Sequence, residues 1–201
     1  MTTEAGAGPR CFGDGDPLYE AYHDDEWGVP VHGEQALLER IALEGFQSGL
    51  SWITVLRKRP AFREVFAGFD PESVAAFGSD DVERLLTDSR IIRNRMKIEA
   101  TIDNARAVVA LHDSGRTLDE LFWSFAPAPT TRERPATFAD VPGWTAESKA
   151  MSKAMKKLGF RFIGPTTAYA AMQACGLVDD HLATCPVVLR RERAGGPGAT
   201  T

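Results

Sequence analysis

The spacing of apolar residues constrains this chain most, because it is helical almost from end to end. From Glu34 onward, Leu37, Leu38, Ile41, Ala42 and Phe46 return at the spacing of one helix face. A second apolar stretch, 52–56, ends at Pro60, and Phe62, Val65, Phe66 and Phe69 form another stripe. Ile98, Ile102, Ala105 and Val109 line one side of a long helix. The start signals agree with this period. Asp70 before Pro71 is a cap followed by a first-turn proline, and Asp80 with Glu83 and Thr117 with Glu120 read as capping boxes. No stretch alternates β-branched residues as a half-buried strand would. The predicted fold is all-α, with two packed helical lobes.

A chain of 201 residues with 43% hydrophobic content can bury a sizeable core, and 25% charged residues mark an ordinary globular composition. The expected organisation is one domain over 11–190, flanked by disordered tails at 1–10 and 191–201, with a Pro/Thr-rich connector at 126–135. No segment has signal-peptide character or the length of a membrane span, so no membrane partner and a cytoplasmic location are expected. Three cysteines give no disulfide framework. The net charge of −5 weighs against nucleic acid as a partner, although basic clusters stand at 57–63, 90–97 and 149–161. A protein that grips a short DNA stretch through backbone amides and local cations escapes that objection.

The segment 148–176 carries the first chemical signal. Met151, Ala154, Met155 and Leu158 share a helix with Lys149, Lys153, Lys156 and Lys157, and Gly159 caps it. A short loop with Arg161 reaches Gly164, Pro165 and Thr166 open a second helix, and Gly176 ends it. Such a hairpin lets the backbone approach a phosphate closely, with a helix N-terminus behind it. The spacing fits an ordinary helix pair packed for stability equally well.

A second constellation joins the chain's ends. Cys11 and His23 lie early; His181 and Cys185 lie late, four apart, so one helical turn would align them. Two cysteines and two histidines make the ligand set of a closed structural zinc site, which would clip the ends together. The spacing is no standard finger signature, and buried cysteines with satisfied histidines remain the alternative. His32 and His112 have no such companions and read as structural or solvated.

Long words of sequence then narrow the field. The blocks DPLYEAYHDDEWGVP at 16–30 and LEGFQSGLSWITVL at 43–56 stand out, with IIR at 91–93, WSF at 123–125 and MQACGL at 172–177. Together they resemble the DNA-3-methyladenine glycosylase I family of the helix-hairpin-helix DNA glycosylase superfamily, from Cys11 to about Cys185. The resemblance implies a helix-hairpin-helix fold and base excision repair of alkylation damage. It implies alkylated double-stranded DNA as partner, 3-methyladenine as product and a monomer. It also implies one Zn2+ held by Cys11, His23, His181 and Cys185, and DNA contacts at Gly159, Arg161, Gly164 and Thr166. Arg90, Met96 and Phe12 depart from the family pattern, which has glycine at the first two positions and a tryptophan near the third.

The base pocket is legible from both directions. Glu44 follows Ile41 by three residues, so it falls on the apolar face, where a carboxylate is costly without partners. Fraying at Gly45, which would turn Glu44 to water, is the alternative. Tyr19, Tyr22, Trp27 and Trp52 surround it in the motifs, and aromatic faces with one carboxylate suit a flipped purine. By resemblance Glu44, Tyr22 and Trp52 recognise the base, with Tyr19, Trp27 and Phe12 as walls. Val178, Asp179 and His181 resemble the Val-Asp-x-His pattern of related glycosylases, which makes Asp179 a second catalytic candidate beside its role of flanking a zinc ligand. The second hairpin helix has no lysine, so lysine-dependent strand cleavage is not expected. Two other readings are a non-catalytic, zinc-stapled binder of alkylated DNA and a related glycosylase with a broader alkylpurine range.

Overall fold

A computed structural model describes residues 9–128 and 133–193. Among these there are ten α-helices, two short 3-10 turns and no strand. In chain order the helices are α1 (Pro17–Asp25), α2 (Glu34–Gln47), α3 (Trp52–Val65), α4 (Pro71–Ala75), α5 (Ser79–Thr87), α6 (Arg95–Asp113), α7 (Leu118–Trp123), α8 (Ala146–Lys157), α9 (Pro165–Ala174) and α10 (Pro186–Arg193). None is long and apolar enough to cross a membrane.

The arrangement is built around α2. Every residue from Leu37 to Phe46 is buried, including Glu39, Arg40 and Glu44. A helix buried all round must have neighbours on all sides, and α2 packs against α3, α4, α6, α7 and α9. It does not fray at Gly45 but continues to Gln47. On one side Phe46, Phe62, Phe66 and Phe69 form a connected aromatic core. Glu34, at the start of α2, accepts from the N–H groups of Leu118 and Asp119 at 2.9 and 3.0 Å and from His112 at 2.7 Å. One carboxylate thereby caps α7 and ties it to the end of α6.

Three local expectations shift. Pro60 does not end a helix; α3 runs through it to Val65. Burial of Phe62 and Val65 beyond the proline outweighs the lost backbone bond. The cap of α5 lies earlier than Asp80: the Asp81 carboxylate accepts from the Gly78 N–H at 3.0 Å. His181 and Cys185 lie on a turn ahead of α10, so no helical turn aligns them. Asp70 and Thr117 do cap α4 and α7, at 2.9 and 3.0 Å. The tails expected at 1–10 and 191–201 fall mainly outside the described residues, though α10 extends to Arg193.

The N-terminal segment is strapped to the end of α9. Gly28 N–H donates to the Gln173 carbonyl at 3.0 Å, and Val31 N–H to the Cys175 carbonyl at 3.1 Å. Gly176 sits in this seam with φ +73°, and a Cβ there would lie 2.5 Å from the Val29 carbonyl carbon. Both the conformation and the space demand glycine. Gly176→Ala is therefore expected to lower stability by about 2–4 kcal/mol, read by denaturant unfolding. Gly164→Ala, where a Cβ meets nothing within 4 Å, is expected to stay within about 0.5 kcal/mol.

Candidate base pocket, hairpin and metal centre

A pocket of about 250 Å³ opens between α1, α2 and α9. That is smaller than the roughly 300–1,000 Å³ of drug-sized sites. Phe12, Tyr19, Tyr22, Trp27, Glu44 and Trp52 all line it. Six residues widely separated in sequence thus converge as the motifs suggested. Tyr22 and Trp52 lie with ring centroids 5.2 Å apart, and Phe12 touches Tyr19 at 4.9 Å and Trp27 at 5.0 Å. The Trp52 indole N–H is buried and has no hydrogen-bond partner among the described residues, which leaves a donor for a ligand.

Glu44 is the one acid in this wall, only 5% exposed. Burial pushes its carboxyl up to about 8, with the positive charge of Arg40 pulling the other way. A cation entering the pocket would favour the charged form. Sequence reasoning missed Tyr169 and Gln173, which line the opposite side from α9, and Gln47 from α2. Tyr169 and Gln173 donate to Asp180 at 2.5 and 2.8 Å, which fixes that wall. Their polar groups four residues apart, on a helix whose residues after Thr167 are otherwise apolar, were the available signal. Asp179 does not line the pocket. Its carboxylate instead accepts from His181 Nδ1 at 2.6 Å and pairs with Arg134 and Arg191 at 3.0 and 3.3 Å.

The hairpin forms as the glycines and lysines suggested. α8 ends at Lys157, Gly159 takes φ +94°, and Gly164 caps α9. Its two glycines are there for different reasons. Gly159 needs its left-handed backbone, whereas Gly164 has ordinary extended geometry and open space where a side chain would be. The fold does not require glycine at 164, but close approach of an external group would. The first-turn N–H of Thr166 points from a helix N-terminus and has no intrahelical acceptor. Arg161 is committed elsewhere: its backbone N–H donates to Asn104 at 2.7 Å and its guanidinium pairs with Asp103 at 2.7 Å. Of the departing residues, Arg90 pairs with Asp88 and Glu64, and Met96 is exposed. His32 pairs with Asp119 and stacks on Trp123.

Cys11, His23 and Cys185 are buried together, with one donor atom from each within 4.8 Å of the others. The His181 ring is 4.8 Å from that of His23, and its Nε2 faces the His23 carbonyl at 3.2 Å. The surroundings fit a metal. Asp24 holds His23 Nδ1 at 2.8 Å, and Asp179 holds His181 Nδ1. Each aspartate is backed by two arginines: Arg10 and Arg190 for Asp24, Arg134 and Arg191 for Asp179. Carboxylates on Nδ1 leave Nε2 of each ring as the ligand nitrogen. The Cys185 thiol is held low by the hydrogen bond from Cys11 and by His23, so this pair readily supplies a thiolate.

Comparison with known proteins now identifies the scaffold. The family model described as methyladenine glycosylase matches residues 12–188. DNA-3-methyladenine glycosylase 1 of Escherichia coli (strain K12) is 51% identical over 170 residues, covering 85% of this chain and 91% of that one. The Haemophilus influenzae DNA-3-methyladenine glycosylase is 48% identical, covering 84% and 91%. A crystal structure of a 3-methyladenine DNA glycosylase I superposes with a TM-score of 0.85 at 49% identity, covering 88% of this chain and 98% of that one. The Staphylococcus aureus enzyme, from a structural study of 3-methyladenine recognition, gives 0.83 at 34% identity, covering 88% and 94%. These relatives are all named as DNA glycosylases. The chain belongs to the methyladenine glycosylase family.

The cluster of donors leads to one expectation. Purified protein should carry one metal ion per chain by elemental analysis, and Cys11→Ala should lose it and melt several degrees lower. A metal-free protein whose melting is indifferent to chelators would contradict the assignment.

Proposed function

We propose that this protein hydrolyses the N-glycosidic bond of 3-methyladenine in alkylated double-stranded DNA, after extruding the damaged nucleotide into the pocket around Glu44. The observation that carries this reading is one buried carboxylate in an aromatic wall, in a family whose named members act on this base. An adenine methylated at N3 is cationic, so its bond to the sugar is already weak. The C1′–N9 bond breaks, its electron pair neutralises the base, and an oxocarbenium-like sugar remains. Water adds its oxygen at C1′ and gives up a proton.

A strong nucleophile is unnecessary for such a leaving group. Tyr22 and Trp52 stack on the purine, with Phe12, Tyr19 and Trp27 completing the wall. Glu44 accepts from the exocyclic amine and favours the cation electrostatically in a water-poor site. Gly159, Gly164 and Thr166 hold the DNA backbone at the hairpin, while Arg161 shapes that loop through Asp103 and Asn104. Asp179 orients His181 and has no part in the bond cleavage. A metal held there would be zinc, with Cys11, His23 and Cys185 as ligands and His181 as the candidate for the fourth position, and it would serve as a clip between the chain's ends.

The carboxylate gives the reading its sharpest consequence. Guanine presents a carbonyl where adenine has its amine, and a buried unpaired acceptor costs about 1–3 kcal/mol. Methylated duplex DNA incubated with the protein should release 3-methyladenine, roughly 10- to 100-fold ahead of 3-methylguanine, with little 7-methylguanine. Glu44→Gln should slow release and narrow that ratio, whereas Trp52→Ala should weaken both without changing it much. DNA binding with no released base would favour a non-catalytic binder. Free release of 7-methylguanine would favour a broader alkylpurine enzyme.

A further inference from the structure

Glu26, the residue following α1, receives more positive charge than it can neutralise. Arg59 reaches both of its oxygens, at 2.6 and 2.7 Å, and Arg40 adds a third bond at 2.6 Å. One carboxylate thus faces two guanidinium groups. Arg40 is only 8% exposed, and its Nη1 group is buried with no partner among the described residues. A buried cation in surplus calls for a second anion.

The groups around Arg40 leave one candidate. Glu39 is already paired with Arg63 through two 2.8 Å bonds. Burial pushes the Cys175 thiol up to about 12 and raises the Tyr22 hydroxyl well above its usual range, so both are neutral. Tyr19, on the pocket side, is likewise raised by burial. Glu44 remains, one helical turn beyond Arg40 on the buried face of α2. Burial raises its proton affinity and the Arg40 charge lowers it. Tyr22 meets both: its ring centroid is 5.8 Å from the Arg40 guanidinium carbon, and it lines the same pocket as Glu44.

We propose that Arg40 is a positioning residue for base recognition: it is the buried counter-ion of Glu44, set behind the Tyr22 wall, and it favours the charged form of that carboxylate, which a cationic base then completes. Glu26 has the opposite duty. By engaging Arg40 it limits the positive charge that a cationic base would meet through the wall. The pair Glu26 and Arg40 thus balances two demands, a Glu44 that ionises when a base binds and a pocket that admits a cation. This role rests on the assignment of Glu44 to the base given above.

The test measures Glu44 directly and activity separately. Protein carrying 13C at its glutamate side-chain carboxyls is titrated by NMR, with the Glu44 signal identified by its loss in Glu44→Gln. In Arg40→Met the Glu44 midpoint should rise by about one pH unit or more, and in Arg40→Lys it should stay within about half a unit. Glu26→Gln, which frees Arg40 from its other anion, should lower the midpoint and serves also if Arg40→Met does not fold. The acid limb of 3-methyladenine release should move with the midpoint in each variant. A midpoint that stays put in Arg40→Met, or fails to fall in Glu26→Gln, overturns the counter-ion role. A midpoint that moves while the release profile does not would instead remove Glu44 from base recognition, and the role of Arg40 there with it.

Discussion

The structure depends on the burial of a carboxylate in the most enclosed helix of the molecule. A charged group in such a place costs several kcal/mol unless something compensates it, and an ordinary fold would replace Glu44 with leucine. Here burial raises the carboxyl to about 8, so a cationic ligand gains by restoring its charge. The surrounding aromatic rings exclude water and supply stacking faces, which strengthens that electrostatic gain. Helix α2 can hold the group in place because it is packed on all sides and has no freedom to turn.

The second constraint is closure of the chain's ends. Phe12, Tyr19 and Tyr22 reach the pocket only because the N-terminal segment is held against α9 and the turn before α10. Backbone bonds at Gly28 and Val31, the tight seam at Gly176 and the cluster of Cys11, His23 and Cys185 do this together. The cluster and the pocket share a wall, since Trp27 touches His181 at 4.6 Å and Phe12 touches His23 at 4.9 Å. Loss of this cluster would therefore loosen the aromatic wall as well as the fold.

Much of this was legible in the sequence because α2 and the hairpin declare themselves locally. The apolar period of 37–46 placed Glu44 inward, and the glycines at 159 and 164 marked the loop. What was not legible arose from tertiary contacts that have no local period. Pro60 reads as a stop, yet Phe62 and Val65 bury enough surface to carry α3 through it. His181 and Cys185 suggest a helical turn by spacing, yet the chain bends there to meet Cys11. Tyr169 and Gln173 face the pocket because Asp180 anchors them, a partner that α9 itself does not contain.

The central claim is that Glu44 reads the edge of a purine held against Tyr22 and Trp52. The most direct measurement is a crystal structure of the protein with free 3-methyladenine bound. The expected result is a ring stacked in this pocket with its exocyclic amine within hydrogen-bonding distance, about 2.7–3.2 Å, of a Glu44 oxygen. A base bound elsewhere, or one in the pocket with Glu44 turned away from it, would contradict the account.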